Sequence, residues 1–358
     1  MSSGRNVTAV VLSFNRASAL DHVLGLLEAL PFEEVILVDN ASTDDSVSVA
    51  LRRGGRVRVV GLEENIGIAA RNIGVRAART ELVVLLDDDS YPLPGAVEAL
   101  SGAFEGRPRL GVVGGYVEQV DLDGRVTGGL VHAFDWFLGR RRHDGRPDGT
   151  AAFFFPEGAA MVRRSAFLEV GGFFEPGFLT VEGLDLTTRL VAAGHDVRYL
   201  AAARFHHLAA KEGRTPSPLS LRYKVRNQIW YFWLRFPASM AVRRIPAYLA
   251  FDLVEAAYRG NLGAWAGGIA DAWRQRGRVR HERRPLPRAV LRRAELDRGR
   301  LHLRLLPVLG RAWLSRRARR GLQSVKATPD PQTPDGGGPR RRVPRHRRDR
   351  PDAPRGRA

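Results

Sequence analysis

The first 120 residues alternate between two hydrophobic patterns. Short runs rich in valine, isoleucine and leucine predict buried strands, and stretches with apolar residues at a helical spacing predict amphipathic helices between them. The predicted strands are residues 7–13, 34–39, 57–60, 82–87 and 110–117, and the predicted helices are residues 17–30, 42–53, 68–79 and 94–104. This alternation predicts an α/β fold with a parallel, doubly wound central sheet.

Three of the predicted strands end in polar residues. Ser13 closes the first strand, Asp39 the second and Asp87 the fourth. In doubly wound sheets, ligands bind outside the carboxyl ends of the strands. We therefore expect the functional site at this edge of the sheet.

Asp87, Asp88 and Asp89 form a run of carboxylates that gains little from packing. In an extended chain the first and third of them point to the same side. They would offer two hard oxygen ligands to Mg²⁺ or Mn²⁺, which a substrate diphosphate would share. A solvated acidic turn, or the cap of the next helix, is the alternative, and the other polar strand ends favour the metal.

Other polar candidates have weaker patterns. Asp39 could accept a hydrogen bond from a pyrimidine base or a ribose hydroxyl, or it could cap the next helix. Asn65, Arg71 and Asn72 lie around the start of a predicted helix, where an anion is stabilised. Close packing of small residues between helix and sheet explains that segment equally well.

Two features of the second half also carry chemistry. Glu182 and Asp185 are three residues apart at a predicted helix start, so they share one face. One could be a general base that the other orients, although acidic capping of the helix gives the same spacing. His206, with His207 beside it, follows a strand-like run and could be a metal ligand, or a surface or core residue.

The net charge of +19 comes from the C-terminus. Residues 274–358 hold 27 basic and 7 acidic side chains, a net charge of +20, whereas residues 1–273 hold 30 and 31, a net charge of −1. A nucleic-acid binder is therefore disfavoured, because the body of the protein is neutral. The basic end favours, at most, attachment to an anionic membrane.

Several protein classes are excluded. The chain has no cysteine, which excludes disulfides, cysteine-ligated metals and a thiol nucleophile. It has no secretion signal and no uninterrupted apolar stretch that could cross a bilayer, so we expect a cytoplasmic protein, with peripheral contact at the inner face of the plasma membrane as the alternative. Neither GxGxxG after the first strand nor GxxxxGK[ST] occurs, which argues against dinucleotide oxidoreductases and P-loop NTPases.

Taken in order, these motifs resemble the family 2 inverting glycosyltransferases of GT-A fold, and among them the bacterial rhamnosyltransferase-like members. The resemblance covers about residues 6–236, and it is carried by residues 10–16, 36–44, 65–74, 86–89, 158–164, 171–173, 182–186, 206 and 223–227.

The resemblance implies a mostly parallel GT-A sheet, a nucleoside diphosphate sugar as donor, and a glycan, lipid-linked or secondary-metabolite acceptor. The residues that it implies for the donor are Ser13, Asn15, Arg16, Asp39, Asn65, Arg71, Asn72, Asp87 and Asp88. The implied ligands of Mg²⁺ or Mn²⁺ are Asp87, Asp89 and His206, with His207 as the alternative.

One position departs from the family. The family usually has Glu-Asp-x-Asp-Leu where this chain has residues 182–186, and the second residue is commonly the base. Gly183 stands there, and a glycine cannot take a proton. Either Asp185 or Glu182 is then the catalytic base, with Asp185 slightly favoured, or the substrate class is shifted, or the enzyme is impaired.

The sequence therefore predicts a metal-dependent inverting glycosyltransferase. We expect a GT-A catalytic domain over residues 1–236, an amphipathic, arginine-rich helical extension over residues 237–325 and a disordered basic tail over residues 326–358. One alternative is a sugar-nucleotide nucleotidyltransferase, although the glycine-rich loop of that class is missing after the first strand. Another is a polyanion- or membrane-binding protein with a degenerate glycosyltransferase domain.

Overall fold

Strands and helices alternate along the computed structural model, which describes residues 6–121, 123–128, 150–151, 155–208 and 217–291. The strands in these ranges are β1 Val7–Ser13, β2 Glu34–Asp39, β3 Val57–Gly61, β4 Leu82–Asp87, β5 Ser90–Pro92, β6 Leu110–Val120, β7 Val126–Gly128, β8 Thr150–Ala151, β9 Ala159–Arg163 and β10 Asp196–Leu208. The helices are α1 Ala17–Leu27, α2 Ser46–Arg53, α3 Ala70–Ala77, α4 Ala96–Phe104, α5 Arg164–Glu169, α6 Glu182–Ala192, α7 Ser217–Arg235, α8 Ala238–Arg259 and α9 Leu262–Arg274.

The described strands form one mixed sheet in the order β3-β2-β1-β4-β9-β6-β10-β5. Strands β3, β2, β1 and β4 run parallel to one another, and β6 runs parallel to β10. The expected α/β fold is confirmed, and its sheet is mixed. Strand β9 lies antiparallel between β4 and β6, and β5, β7 and β8 also pair antiparallel with their neighbours.

The central strands are apolar on both faces because helices cover both sides of the sheet. Val10 and Ile36 belong to one buried cluster, and Val11 and Leu37, the next residues along, belong to the other. This continuous burial explains why the predicted strands read as unbroken apolar runs. Their register also aligns the polar strand ends, since Ser13 pairs with Asp39 and Leu12 pairs with Asp87.

Some predicted boundaries shift for local reasons. The helix expected from residue 42 begins at Ser46, because Ser42 is held in a turn: its N–H donates to Asp39 Oδ2 at 3.0 Å, and its hydroxyl accepts from the Asn15 N–H at 3.0 Å. The strand-like run before His206 belongs to one long strand, β10, whose register with β6 shifts between Leu200 and Arg204.

The C-terminal helices pack on one another. Leu221 and Val225 of α7 form a buried cluster with Ala256 of α8. The extension expected over residues 237–325 is described as far as residue 291, and the tail expected over residues 326–358 lies outside the described residues. Among the helices in the described ranges, none is both long and apolar enough to cross a bilayer.

Gly74 is predicted to be required for the packing of α3 on the sheet. A Cβ at this position would overlap with Val10 Cγ1 and lie 2.9 Å from Val38 Cγ2. Gly74→Ala should therefore cost about 1–3 kcal/mol in urea denaturation. Gly102 of α4 is the control, because it has open space and its change to alanine should be neutral or gain up to about 1 kcal/mol. Equal stability of the two variants would contradict the packing account.

Candidate active site

Three side chains of different elements converge at the carboxyl edge of the sheet. Donor atoms of Asp87, Asp89 and His207 all lie within 4.8 Å of one another, and His207 Nε2 is 3.3 Å from Asp89 Oδ1. The end of β10 is brought there by its antiparallel pairing with β5, in which His207 lies opposite Ser90. Carboxylate oxygens and an imidazole are suitable ligands for Mn²⁺, and the oxygens suit Mg²⁺.

His206, the ligand that the resemblance placed first, is not in this group. Its Nδ1 is 3.1 Å from the Tyr91 hydroxyl, and its Nε2 is 3.6 Å from Glu118 Oε2. Neighbouring residues of a strand point to opposite faces, so only one of the two histidines can meet the aspartates. The structure brings in the alternative, His207, whose Nδ1 is buried and has no hydrogen-bond partner in the described part of the chain.

Two arginines balance the carboxylates. The Arg16 guanidinium contacts Asp89 and lies 3.1 Å from Asp88 Oδ1, and the buried Arg71 guanidinium contacts Asp87. Burial raises the pKa of Asp88 to about 7, and burial also raises the pKa of Asp89. The acidic group is thus poorly hydrated and in need of positive charge, and its donor set fits a divalent cation.

Asp39 presents an open acceptor at the same edge. Its Oδ2 accepts from the Ser42 N–H, whereas its buried Oδ1 has no partner among the described residues. The Ser13 hydroxyl is also buried without a described partner. Asn15 and Asn65 instead hold loops: Asn15 Oδ1 accepts from the Thr43 N–H at 2.7 Å, and Asn65 Oδ1 accepts from Asn40 Nδ2 at 2.9 Å.

Asn72 does not reach this edge, in contrast to the role that the resemblance implied. Its Nδ2 donates to the Phe173 carbonyl at 2.9 Å, and its Oδ1 accepts from the Phe173 N–H at 2.8 Å. The side chain is buried, and a Cβ on Gly172 would overlap with it. Asn72 therefore fixes the turn after α5 rather than facing a nucleotide.

Asp185, the first candidate base, is committed to two ion pairs. Its carboxylate lies 2.8 Å from Arg189 Nε and 2.6 Å from Arg235 Nε, and its residue is 5% exposed. Burial opposes ionisation, but the two guanidinium groups hold the pKa of Asp185 below its ordinary value. A carboxylate enclosed in this way is placed to fasten α6 to α7.

Glu182, the second candidate, is also buried, with 3% of its surface exposed. Burial raises its pKa well above the ordinary value of 4.5, because burial disfavours the charged form. It lines a small, partly open pocket with Phe174, Trp230 and Tyr231.

The loop before α6 is held in an unusual conformation. Phe178, Thr180 and Val181 all have positive φ, at 65°, 72° and 71°, which costs about 1–3 kcal/mol for each residue. Asn227 Nδ2 donates to the carbonyls of Gly177 and Leu179, both at 2.8 Å. A side chain of α7 thus sets the start of α6. The sequence motif included Asn227, but its spacing gave no indication of this role.

Comparison with known proteins agrees with this arrangement. Residues 8–171 match the family model described as glycosyl transferase family 2. Over 213 residues, the chain is 29% identical to N-acetylglucosaminyl-diphospho-decaprenol L-rhamnosyltransferase of Mycobacterium tuberculosis, an alignment that covers 51% of this chain and 69% of that protein.

Residues 8–171 of the chain therefore form a glycosyl transferase family 2 domain.

The fold of this glycosyltransferase is similar to that of solved members with a GT-A fold. S. aureus TarS in complex with UDP-GlcNAc has a TM-score of 0.54 and 16% identity, covering 84% of this chain and 89% of that one. GalNAc-T7 with UDP, GalNAc and Mn²⁺ has a TM-score of 0.51 and 16% identity, covering 66% of this chain and 49% of that one. This chain thus spans about half the length of GalNAc-T7. The GT-A fold implied by the resemblance is confirmed.

One carboxylate of the glycosyltransferase was missed in the sequence. Glu157 Oε1 accepts from the Gly183 N–H at 3.0 Å, and a Cβ on Gly183 would overlap with that oxygen. Burial of its carboxyl raises the pKa of Glu157 to about 7, although the residue as a whole is only partly buried. The indication in the sequence was the glycine at position 183, which calls for an acid from elsewhere in the chain.

The two histidines of this glycosyltransferase are predicted to differ in metal binding. Removing even an outer partner of a metal site costs about 10–100-fold in affinity, so His207→Ala should weaken Mn²⁺ binding by at least about tenfold. His206→Ala is the matched control and should bind Mn²⁺ as the wild type does. Thermal shift against MnCl₂ concentration measures both, and a loss confined to His206→Ala would contradict the assignment.

Glu182 is predicted to destabilise the fold as the pH rises. Its pKa is raised well above 4.5 in the folded state, so the folded protein holds a proton that the unfolded chain releases, and stability falls as the pH rises from about 4.5 towards the folded pKa. Glu182→Gln cannot ionise. Urea denaturation at about pH 5 and about pH 8 should therefore show the variant gaining stability relative to the wild type at the higher pH.

Asp185→Asn should show the opposite pH dependence of stability in the same urea denaturation. The pKa of Asp185 is lowered in the folded state, so its contribution is present above its ordinary value of 3.8 and is lost as the pH falls further. A pH-independent difference between Glu182→Gln and the wild type would show that Glu182 is not a buried neutral acid.

Proposed function

We propose that this glycosyltransferase moves a sugar from a nucleoside diphosphate sugar to an acceptor hydroxyl with inversion at the anomeric carbon, assisted by Mg²⁺ or Mn²⁺. The observation that carries the proposal is the placement of Asp39 and the group of Asp87, Asp89 and His207 at one edge of the sheet. Asp39 ends β2 and Asp87 ends β4, on either side of β1. Two strand spacings separate them by about 10 Å, a span suited to a nucleoside with its diphosphate.

Each group has a task in this proposal. The free Oδ1 of Asp39 accepts a hydrogen bond from the base or the ribose. Asp87, Asp89 and His207 would hold the cation, which supplies charge neutralisation for the departing diphosphate. Arg16 and Arg71, already beside the aspartates, are placed to contact the phosphate oxygens.

The direction of attack follows from inversion. The acceptor hydroxyl approaches the anomeric carbon from the face opposite the diphosphate, and a carboxylate takes its proton. In a single displacement no covalent glycosyl-enzyme intermediate forms. The site therefore needs a proton acceptor close to the aspartates that hold the cation.

The proposed donor carries a deoxyhexose and the proposed acceptor is a lipid-linked glycan. Support comes from the named activity of the M. tuberculosis relative, an L-rhamnosyltransferase that acts on a diphospho-decaprenol. The helical extension adds to it, because Trp273 is exposed next to Arg274 and Arg276, and the Arg276 guanidinium carbon lies 4.1 Å from the centre of the Trp273 ring. Such a patch suits peripheral contact with an anionic membrane on the cytoplasmic side.

Asp39→Ala is predicted to weaken nucleotide binding. A thermal-shift screen of UDP, GDP, dTDP and CDP with Mn²⁺ should show stabilisation of the wild type by at least one of them, because a ligand that binds only the folded state raises its stability. Asp39→Ala should reduce the affinity about tenfold or more, since the loss of a hydrogen bond to a buried charged group costs about 1.5–3 kcal/mol.

The matched control for Asp39 is Asp123→Ala, which removes an exposed aspartate whose one ion pair within the described ranges is with Arg125 Nη1 at 3.4 Å. This variant should bind nucleotide as the wild type does. If none of the four nucleoside diphosphates stabilises the wild type in the presence of Mn²⁺, the proposed function is wrong.

A further inference from the structure

We infer that Glu157 is the residue that takes the proton from the acceptor hydroxyl in the transfer reaction. The inference rests on the proposed function, since it assigns a further catalytic residue to the same site. It stands on four observations: the position of Glu157 in the sheet, its anchor on α6, the space left by Gly183 and the burial of the competing carboxylates.

The sheet places Glu157 beside the metal-binding edge. Leu86, the residue before Asp87, lies opposite Ala159 in the antiparallel pair of β4 and β9. The two residues that precede β9 therefore lie alongside the acidic run that follows β4. Gly158 packs directly on Asp87, where a Cβ would overlap with its carboxylate, and the Gly158 carbonyl accepts from the Ser90 hydroxyl at 2.7 Å.

The carboxylate of Glu157 is anchored rather than free to rotate. Its Oε1 accepts from the backbone N–H of Gly183 at 3.0 Å, in the first turn of α6. The positive end of this eleven-residue helix favours a negative charge there. A hydrogen bond to one oxygen leaves the other oxygen of the carboxylate available to a substrate hydroxyl.

Gly183 makes room for this carboxylate. Any side chain at that position would have its Cβ on Glu157 Oε1. An acidic residue at the start of α6 and the carboxylate of Glu157 thus compete for the same place. In this chain the carboxylate of Glu157, which precedes β9, occupies that place.

The other nearby acids are less suitable. Asp185 is enclosed by Arg189 and Arg235, and Glu182 is almost fully buried. Glu157 is the more exposed of the three, being partly buried where the other two are buried. A base must lie near the metal-binding edge, and of these three acids Glu157 is the one that adjoins Gly158, which packs on Asp87.

The step balances in atoms and electrons. The acceptor oxygen forms a bond to the anomeric carbon while the bond from that carbon to the phosphate oxygen breaks, and its electron pair leaves with the nucleoside diphosphate. The proton of the acceptor hydroxyl passes to the free oxygen of Glu157 and from there to solvent. With water as the acceptor, the same step is hydrolysis of the donor.

The first test is Glu157→Gln in the full chain. Glutamine keeps an oxygen that accepts from the Gly183 N–H, so the melting temperature and the nucleotide affinity should stay near those of the wild type. The kcat for release of nucleoside diphosphate, with Mn²⁺ and a UDP-, GDP- or dTDP-sugar that binds the wild type, should fall about 10²–10⁴-fold. Glu105→Gln, an exposed change outside the site, is the control for kcat.

The second test moves the carboxylate to the other side of the same space. Glu157→Ala should lose activity as Glu157→Gln does. Adding Gly183→Asp to Glu157→Ala places a new carboxylate where the first one stood and should recover at least about tenfold of the lost kcat. Gly183→Asp alone should fail to exceed the wild type, because the two side chains overlap.

The outcomes separate the two proposals. A wild type that binds no nucleoside diphosphate overturns the proposed function, and this inference with it. A wild type that turns over a donor, together with a Glu157→Gln variant of unchanged kcat, overturns only the inference. A Glu157→Gln variant that loses kcat and also melts clearly below the wild type would overturn it too, because the loss of activity would then reflect a loss of stability. Glu157 would in that case only cap α6.

Discussion

The site depends on the balance of charge at the carboxyl edge of the sheet. Strand β4 ends in Asp87, and Asp88 and Asp89 follow it, while Glu157 is brought beside them by β9. Carboxylates this close repel one another, and burial withholds the water that would screen them. Arg16 and Arg71 supply the compensating charge, so the loop after β1 and the start of α3 are tied to the aspartates of β4.

A second constraint acts from the opposite side of the site. Helix α6 begins after a strained loop, and its first turn provides the N–H that holds Glu157. The strain persists because α7 holds the loop through Asn227, while Arg235 of the same helix binds Asp185 of α6. This edge of the sheet is therefore assembled from β4, β9, α6 and α7, which are far apart in the sequence.

The sequence was informative wherever local physics decides the structure. The strands that end at Ser13, Asp39 and Asp87 were predicted at their observed ends, because a buried run closed by a polar residue has few alternatives. The GT-A fold followed from the order of the motifs. The antiparallel insertion of β9 was not predictable, because a short apolar run such as residues 159–162 does not indicate its direction.

The roles of single side chains were less predictable for a related reason. Two adjacent histidines gave no means of choosing between faces, and the register of β10 with β5 selected His207. Asn72 stands in a motif that resembles a nucleotide site, yet its amide is bound to Phe173, a partner 101 residues away. Long-range pairings of this kind are set by the tertiary structure and leave no periodicity in the chain.

The hydrogen bonds from Asn227 to the loop before α6 limit which sequence changes this loop can accept. One amide nitrogen lies within hydrogen-bond distance of three backbone carbonyls, those of Gly177, Leu179 and Thr180. Backbone carbonyls are indifferent to side-chain identity but not to chain length. The loop should therefore tolerate many substitutions but not insertions or deletions. Its contacts with α7 depend on the length of the loop rather than on its composition.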